Sequence, residues 1–279
     1  MSLHKYQPCP AITPQRKKSL WYKTVPLLDA THSTMKPPTL LLLLVLHCES
    51  VLLPPSFKKC SRNQPDLAKC MREAAAFNMH QLVHPFRDVQ LPGLKPLKIP
   101  ALTIGSGKRA VAVEQRYTDC NIYGFDHPEF DTFQFDLQEK TLNVDVRFPE
   151  VTKNCKYQLN GKVMLLPVVG EGESTLVLKD ARISGYLDYE EDKRNGKTHL
   201  KFIDHHLALD VGHVYFHFDN LFDGQKELGD NINKILNDNW RDVFDDVKEG
   251  YVQVVNTIIQ SLLTNFWQKV SLEDALDPH

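Results

Sequence analysis

His199, His205, His206, His213 and His217 fall within one short stretch and are the side chains best suited to hold a metal ion. Their spacing argues against it. On a strand, His213 and His217 stand ~13 Å apart at ~3.3 Å per residue, too far to share one ion. His205 and His206 point to opposite faces, so solvent-facing strand histidines are expected and no metal. Gly105-Ser106-Gly107-Lys108 has the composition of a phosphate loop without its spacing, and Arg109 follows where Ser or Thr is required. It reads as a hairpin tip. Asp219 to Gly224 lacks the later acids of a calcium loop and reads as a turn entering a helix. Neither GxSxG nor HExxH occurs, and no Ser/His/Asp set can be nominated by sequence proximity. The expectation is a protein that is not an enzyme, with no catalytic residue and no cofactor.

The cysteines depend on the compartment. Met35-Lys36 precedes seven apolar residues, Leu40 to Leu46, and then His47-Cys48-Glu49-Ser50. A positive start, a short apolar core and small residues before a cut after Ser50 describe a secretory signal over residues 35–50, and an extracellular protein. Residues 1–34 are Pro-dotted and basic, without periodicity. They are expected to be an upstream, non-native or disordered extension, with translation starting at Met35; a tail or a longer leader is the alternative. Removing residues 1–50 leaves 27 basic and 33 acidic side chains, a net charge of −6. It also leaves Cys60, Cys70, Cys120 and Cys155, an even number that suggests disulfides in an exported chain. Three pairings are open. Cys60–Cys70, closing a short loop, is preferred, with Cys120–Cys155 as a second bridge.

Composition sets the class. The chain has 279 residues, 42% hydrophobic and 24% charged, so one large domain or two small ones can form a core. No apolar run approaches the ~18 residues needed to span a bilayer, and the charge balance offers nothing to nucleic acid.

The elements that would position these residues follow from periodicity. Residues 65–82 read as a helix, with Leu67, Cys70, Met71, Ala74, Ala75 and Met79 at three- and four-residue spacing. Pro85, Pro92, Pro96 and Pro100 then forbid helix. From about 97 to 218 the pattern alternates: Phe133, Phe135 and Leu137, then Leu142, Val144, Val146 and Phe148, with a turn at Gln138-Glu139-Lys140. Further strands are expected at Thr175–Lys179, Ile183–Tyr189, His199–Asp210 and His213–Phe218, with a hairpin tip at Asn195-Gly196. Short turns imply an antiparallel meander. Lys162 to Val169 is apolar on both parities and contains Pro167, which suggests a strand covered on both faces or bent across the molecule.

From Glu227 to Gln268 the apolar positions recur at three and four, predicting one amphipathic helix of roughly 40 residues, with Gly250 as a kink candidate. The doublets Val254/Val255, Ile258/Ile259 and Leu262/Leu263 make the stripe too wide for a coiled-coil seam. The only apolar surface left to cover it is the inner face of the strands. The expected fold is therefore α+β, a highly curved antiparallel sheet wrapped round a long C-terminal helix, with residues 51–279 forming a single domain. A gap along that interface, lined by aliphatic and aromatic side chains, stays dry and prefers an apolar guest. Burying ~300 Å² of hydrocarbon at ~25 cal/mol per Å² is worth roughly 7 kcal/mol before ordering costs. The candidate lining is Phe133, Phe135, Val144, Val146, Phe148, Phe202, Phe216 and Phe218 from the sheet, facing Val243, Val247, Tyr251, Val254 and Ile258 from the helix. The Tyr251 hydroxyl is a candidate polar anchor; a bond to backbone is the competing expectation.

The block from Tyr157 to Gly172 (Tyr-Gln-Leu-Asn-Gly-Lys-Val-Met-Leu-Leu-Pro-Val-Val-Gly-Glu-Gly) resembles the central signature of the insect takeout/juvenile-hormone-binding family. So do His217-Phe218-Asp219-Asn220-Leu221-Phe222-Asp223-Gly224, Leu228-Gly229 and Asn237-Asp238-Asn239-Trp240. The resemblance covers residues 52–278. It implies the tubular lipid-binding fold with an elongated hydrophobic tunnel, a disulfide at Cys60 and Cys70, and a secreted carrier of terpenoid hormones, fatty-acid-like chains or similar lipids. Family roles lie in circadian output, feeding and chemosensory behaviour. The chain departs from the pattern at Gly250, where Pro is frequent, and in having Cys120 and Cys155. The expected partner is a small hydrophobic ligand, with an unidentified receptor, no nucleic acid, no stable membrane insertion and a monomeric chain. The competing readings are a membrane-surface or lipopolysaccharide-binding module, which the negative charge disfavours, and a small-ester hydrolase.

Overall fold

The computed structural model describes residues 52–277, so the expected leader and N-terminal extension lie outside the described residues. A two-residue strand β1 (Cys60–Ser61) precedes helix α1 (Leu67–Gln81). Asp66 starts the helix by accepting the Lys69 N–H at 3.0 Å, the usual role of a short acid at that position. The Cys60–Cys70 bridge joins the two elements across a Cα separation of 5.9 Å.

Seven antiparallel strands form one sheet: β2 (Leu97–Ile104), β3 (Val111–Tyr123), β4 (Glu129–Asp136), β5 (Thr141–Val163), β6 (Leu166–Arg194), β7 (Lys197–Asp210) and β8 (His213–Phe218). The backbone of the sheet is the β5–β6 hairpin, whose strands are 23 and 29 residues long. Each changes its outer neighbour midway. β5 pairs with β4 over its first part and with β3 over its second, while β6 pairs with β8 and then with β7. The change coincides with Pro149, which has no N–H for the ladder, facing Asp180 at φ +51°. Thr175–Lys179 and Ile183–Tyr189, expected as separate strands, are thus two halves of β6. Within β6, Gly185 lies at φ +138°, and a Cβ there would sit 2.0 Å from the His206 carbonyl oxygen, so no other residue fits.

The expected strand through Lys162–Val169 is instead the tip of the β5–β6 hairpin. Met164 and Leu165 both take positive φ, reversing the chain, and Leu165 is 89% exposed. Pro167 pairs with Lys162 beside that turn, so its missing N–H costs little. The turn at Asn195 and Gly196 also has two positive φ values, as its residue types require. Cys120 and Cys155 form the second disulfide, tying β3 to β5 beside the bulge at Thr118/Asn121.

A single turn (Phe222–Gly224) leads into α2 (Lys226–Asp238) and α3 (Trp240–Lys269); α4 (Leu272–Ala275) and β9 (Leu276–Asp277) follow, with β9 pairing parallel to β1. The long amphipathic helix is therefore two, broken at Asn239. Its amide donates to the Ile235 carbonyl at 2.8 Å, and its φ of −116° and ψ of 27° leave the helical region. Gly250 is no break. It lies inside α3, where a Cβ would come within 3.1 Å of the Ile104 methyl, so glycine here allows β2 to approach the helix.

Helix α3 contacts β7 and β8 on one side and β2 and β3 on the other. Since β2 and β7 are opposite ends of the strand order, the open sheet curls round the helix. Specific bonds fix both sides. Phe202 of β7 donates its N–H to Thr264 Oγ1 at 3.2 Å and accepts from Gln260 Nε2 at 3.0 Å. Asp246 of α3 accepts the N–H groups of Lys108, Arg109 and Val111, which docks the β2–β3 loop. Burial alone would raise the Asp246 pKa, but these N–H groups outweigh it and hold the carboxyl below its usual range.

Helix α2 closes the free edge of β8. Asn233 accepts the Phe218 N–H and donates to the Phe218 carbonyl, both at 2.9 Å; Asn237 does the same for Phe216 at 2.9 and 2.8 Å. Two amides four residues apart on a helix thus replace the missing strand for residues two apart on β8. Asn237→Ala leaves both Phe216 backbone groups unpaired and should lower stability by about 1–3 kcal/mol. The urea midpoint should fall with an unchanged slope; an unchanged midpoint would show that water replaces the amide.

Candidate functional site

Between α3 and the curved sheet lies a cavity of about 360 Å³. That falls within the ~300–1,000 Å³ common for ligand pockets. Nine residues of α3 from Tyr251 to Trp267 border it, including all three apolar doublets. At ~1.5 Å per residue they extend along ~24 Å of helix. The sheet contributes Ile104, Ile122, Phe133, Val146, Phe148, Leu176 and Ile183 among others. α1 closes a further side with Met71, Ala74, Ala75 and Met79, because its apolar stripe faces inward.

The thirteen residues expected to line a hollow are distributed over three places. Phe133, Val144, Val146, Phe148, Tyr251, Val254 and Ile258 border the large cavity. Phe216, Phe218, Val243 and Val247 border a second one of about 30 Å³, room for a water or two, between β8 and the start of α3. Phe135 and Phe202 border neither. Phe135 packs edge-on against Trp267 and Tyr189, and Phe202 against Tyr189, so these rings are wall packing near the Trp267 end. Alternation placed each side chain on a face but not at a point along that face.

A polar layer stands between the two cavities. Tyr117 donates its hydroxyl hydrogen to Gln115 Oε1 at 2.8 Å, and the Tyr251 hydroxyl reaches the same oxygen at 3.5 Å. The Tyr251 hydroxyl is thus tied to a side chain and not to backbone. Burial pushes the Tyr251 pKa up to about 12 and that of Tyr117 well above its ordinary value, so both stay neutral. Lys153 of β5 joins this layer. It is 7% exposed, borders the large cavity, and lies over the Tyr117 ring with Nζ 3.2 Å from the centroid. Burial pulls its pKa down to about 7. The sequence contained a signal for it: Val151, Lys153, Cys155 and Tyr157 share the inward parity, and Lys153 is the charged member.

The histidines are dispersed. His199 is buried, contrary to the solvent-facing expectation, with Nδ1 3.3 Å from the Trp267 carbonyl oxygen. His206 lies with Asp188 and Asp204 on the outside of the sheet, their ligand atoms within 4.8 Å, and is already bonded to Asp188 at 3.1 Å. No helix among the described residues is long and apolar enough to cross a membrane.

Comparison with known proteins places this geometry. The family model described as haemolymph juvenile hormone binding protein matches residues 39–277. The chain is 29% identical over 188 residues to the circadian clock-controlled protein daywake of Drosophila melanogaster, covering 63% of this chain and 72% of the relative. It is 24% identical over 195 residues to the protein of the same name from Drosophila yakuba, covering 66% and 74%. The crystal structure of takeout 1 from Epiphyas postvittana superposes with a TM-score of 0.69 at 24% identity, over 78% of this chain and 99% of that one. That likeness shows the fold.

Proposed function

Because the chain belongs to the haemolymph juvenile hormone binding protein family, we propose that it is a secreted, non-catalytic carrier of one small hydrophobic molecule, held along α3. The observation that carries this reading is the 360 Å³ hollow, whose wall is almost wholly hydrocarbon and aromatic. Water gains few hydrogen bonds there, whereas an apolar guest leaves water and meets packed side chains on every side. Export is supported by two disulfides, which persist in oxidising compartments, and by the leader-like residues 35–50. The name of the daywake relatives supports a role in circadian output. In this reading the mature carrier spans residues 51–279 and acts as a monomer.

The test is native mass spectrometry of the protein secreted from insect cells, followed by solvent extraction. An apolar molecule should accompany the chain at close to one-to-one. A ligand-free protein that also refuses fluorescent fatty-acid probes would overturn the carrier reading.

A further inference from the structure

Beside its apolar and aromatic side chains, the large cavity is bordered by three polar ones, Lys58, Asn78 and Lys153. Asn78 is engaged by the Lys58 backbone, and Lys153 alone brings a buried ammonium to the wall. Lys153 projects from the inner face of β5 between Ile122 of β3 and Leu176 of β6, both of which border the cavity and neither of which offers a polar atom from its side chain. Among the described residues its Nζ has no ion-pair or hydrogen-bond partner; the Tyr117 ring is what it touches. Lys58, the other cation bordering the cavity, is spoken for by Glu73 at 3.1 Å.

We propose that the cavity is built for an acidic amphiphile, a long-chain carboxylate whose head meets Lys153 at the Tyr251 end while its tail lies along α3 towards Trp267. This rests on the carrier reading and names its ligand class. A buried ammonium without an acid is unfavourable, because the ring face replaces only part of its lost hydration. A carboxylate supplies the missing charge and accepts short, charge-assisted hydrogen bonds. A neutral ester or terpenoid leaves the ammonium unpaired and removes what water reached it. One cation between two apolar neighbours suits a single negative charge better than a dianionic phosphate, which asks for several donors. The burial that draws the lysine pKa towards neutrality supports the same picture, since pairing with a carboxylate restores the charged form.

The probes are palmitic acid and methyl palmitate, displacing N-phenylnaphthylamine from the delipidated, full-length secreted protein below the critical micelle concentration. The acid should displace the dye at a concentration roughly tenfold or more below that of the ester. In Lys153→Met the acid should weaken by at least about tenfold while the ester binds as well as before or better. Lys153→Leu serves if the first variant does not fold. Equal potency of acid and ester on the wild-type protein overturns the proposal and leaves the carrier reading standing. So does a preference for acid that survives both substitutions. If the wild-type protein binds neither dye, acid nor ester, the carrier reading fails and this inference fails with it.

Discussion

Tryptophan at Val254 should weaken ligand uptake about a hundredfold and leave the fold intact. Val254 is only partly buried although it sits on the inward stripe of α3, because the space in front of it is empty. An indole there occupies a substantial share of the 360 Å³ and cuts a chain-like guest off from part of the wall. Losing ~120 Å² of apolar contact at ~25 cal/mol per Å² weakens binding by about 3 kcal/mol, two orders of magnitude in Kd. The added ring buries its own apolar surface, so the melting temperature should hold or rise. Val247→Trp is the contrast. Val247 faces the 30 Å³ cavity, where an indole has no room and overpacking should destabilise by about 1–3 kcal/mol. Dye titration and thermal unfolding of both variants decide the matter; wild-type affinity in Val254→Trp would place the ligand elsewhere.

The second large effect is on stability. Lys153→Met should raise the melting temperature of the ligand-free protein at neutral pH, and the gain should shrink as pH rises. The folded-state pKa of about 7 lies below the ordinary 10.5, so between these values the unfolded chain binds a proton that the folded chain releases. Stability therefore rises with pH through that window; the penalty is complete below about 7 and gone above 10.5. At about 1.4 kcal/mol per pH unit the full penalty approaches 5 kcal/mol. The Tyr117 ring favours the charged form by about 2 kcal/mol, which lifts the folded pKa and narrows the window from below, leaving about 3 kcal/mol for methionine to relieve. For a domain of this size that is roughly 6–12 °C. Tyr117 and Tyr251, the titratable neighbours in the layer, stay neutral throughout because burial raises both pKa values. Thermal unfolding of delipidated protein at about pH 6.5 and about pH 9.5 tests this. An equal gain at both would mean that the ammonium carries no desolvation penalty.

Much of this architecture was legible before any coordinates. The three- and four-residue spacing from Leu228 to Phe266, the alternation from Leu142 to Phe148, and the turn residues Asn195 and Gly196 each record a local preference, and helix, strand and turn formed there, the helix as two segments in place of the one expected. The width of the α3 stripe also required a cover broader than another helix, and the curled sheet supplies it. The doublets that set this width are the residues that border the cavity.

Tertiary structure alone decided the rest. The helix breaks at Asn239 where periodicity runs on, while Asn233 and Asn237 just before it are engaged by the distant edge of β8. β5 and β6 continue past their apparent ends because new neighbours replace old ones midway. Met164 and Leu165 turn where apolar residues suggested a covered strand. Periodicity belongs to a residue and its near neighbours in the chain, so sequence can assign Phe133, Phe216 and Phe202 to an inner face. Whether that face meets a large hollow, a small one or another ring depends on volumes contributed by β4, α1 and α3 together. The same holds for Lys153: its inward position is written in the strand pattern, but the lack of an acid opposite it is a property of the assembled interior.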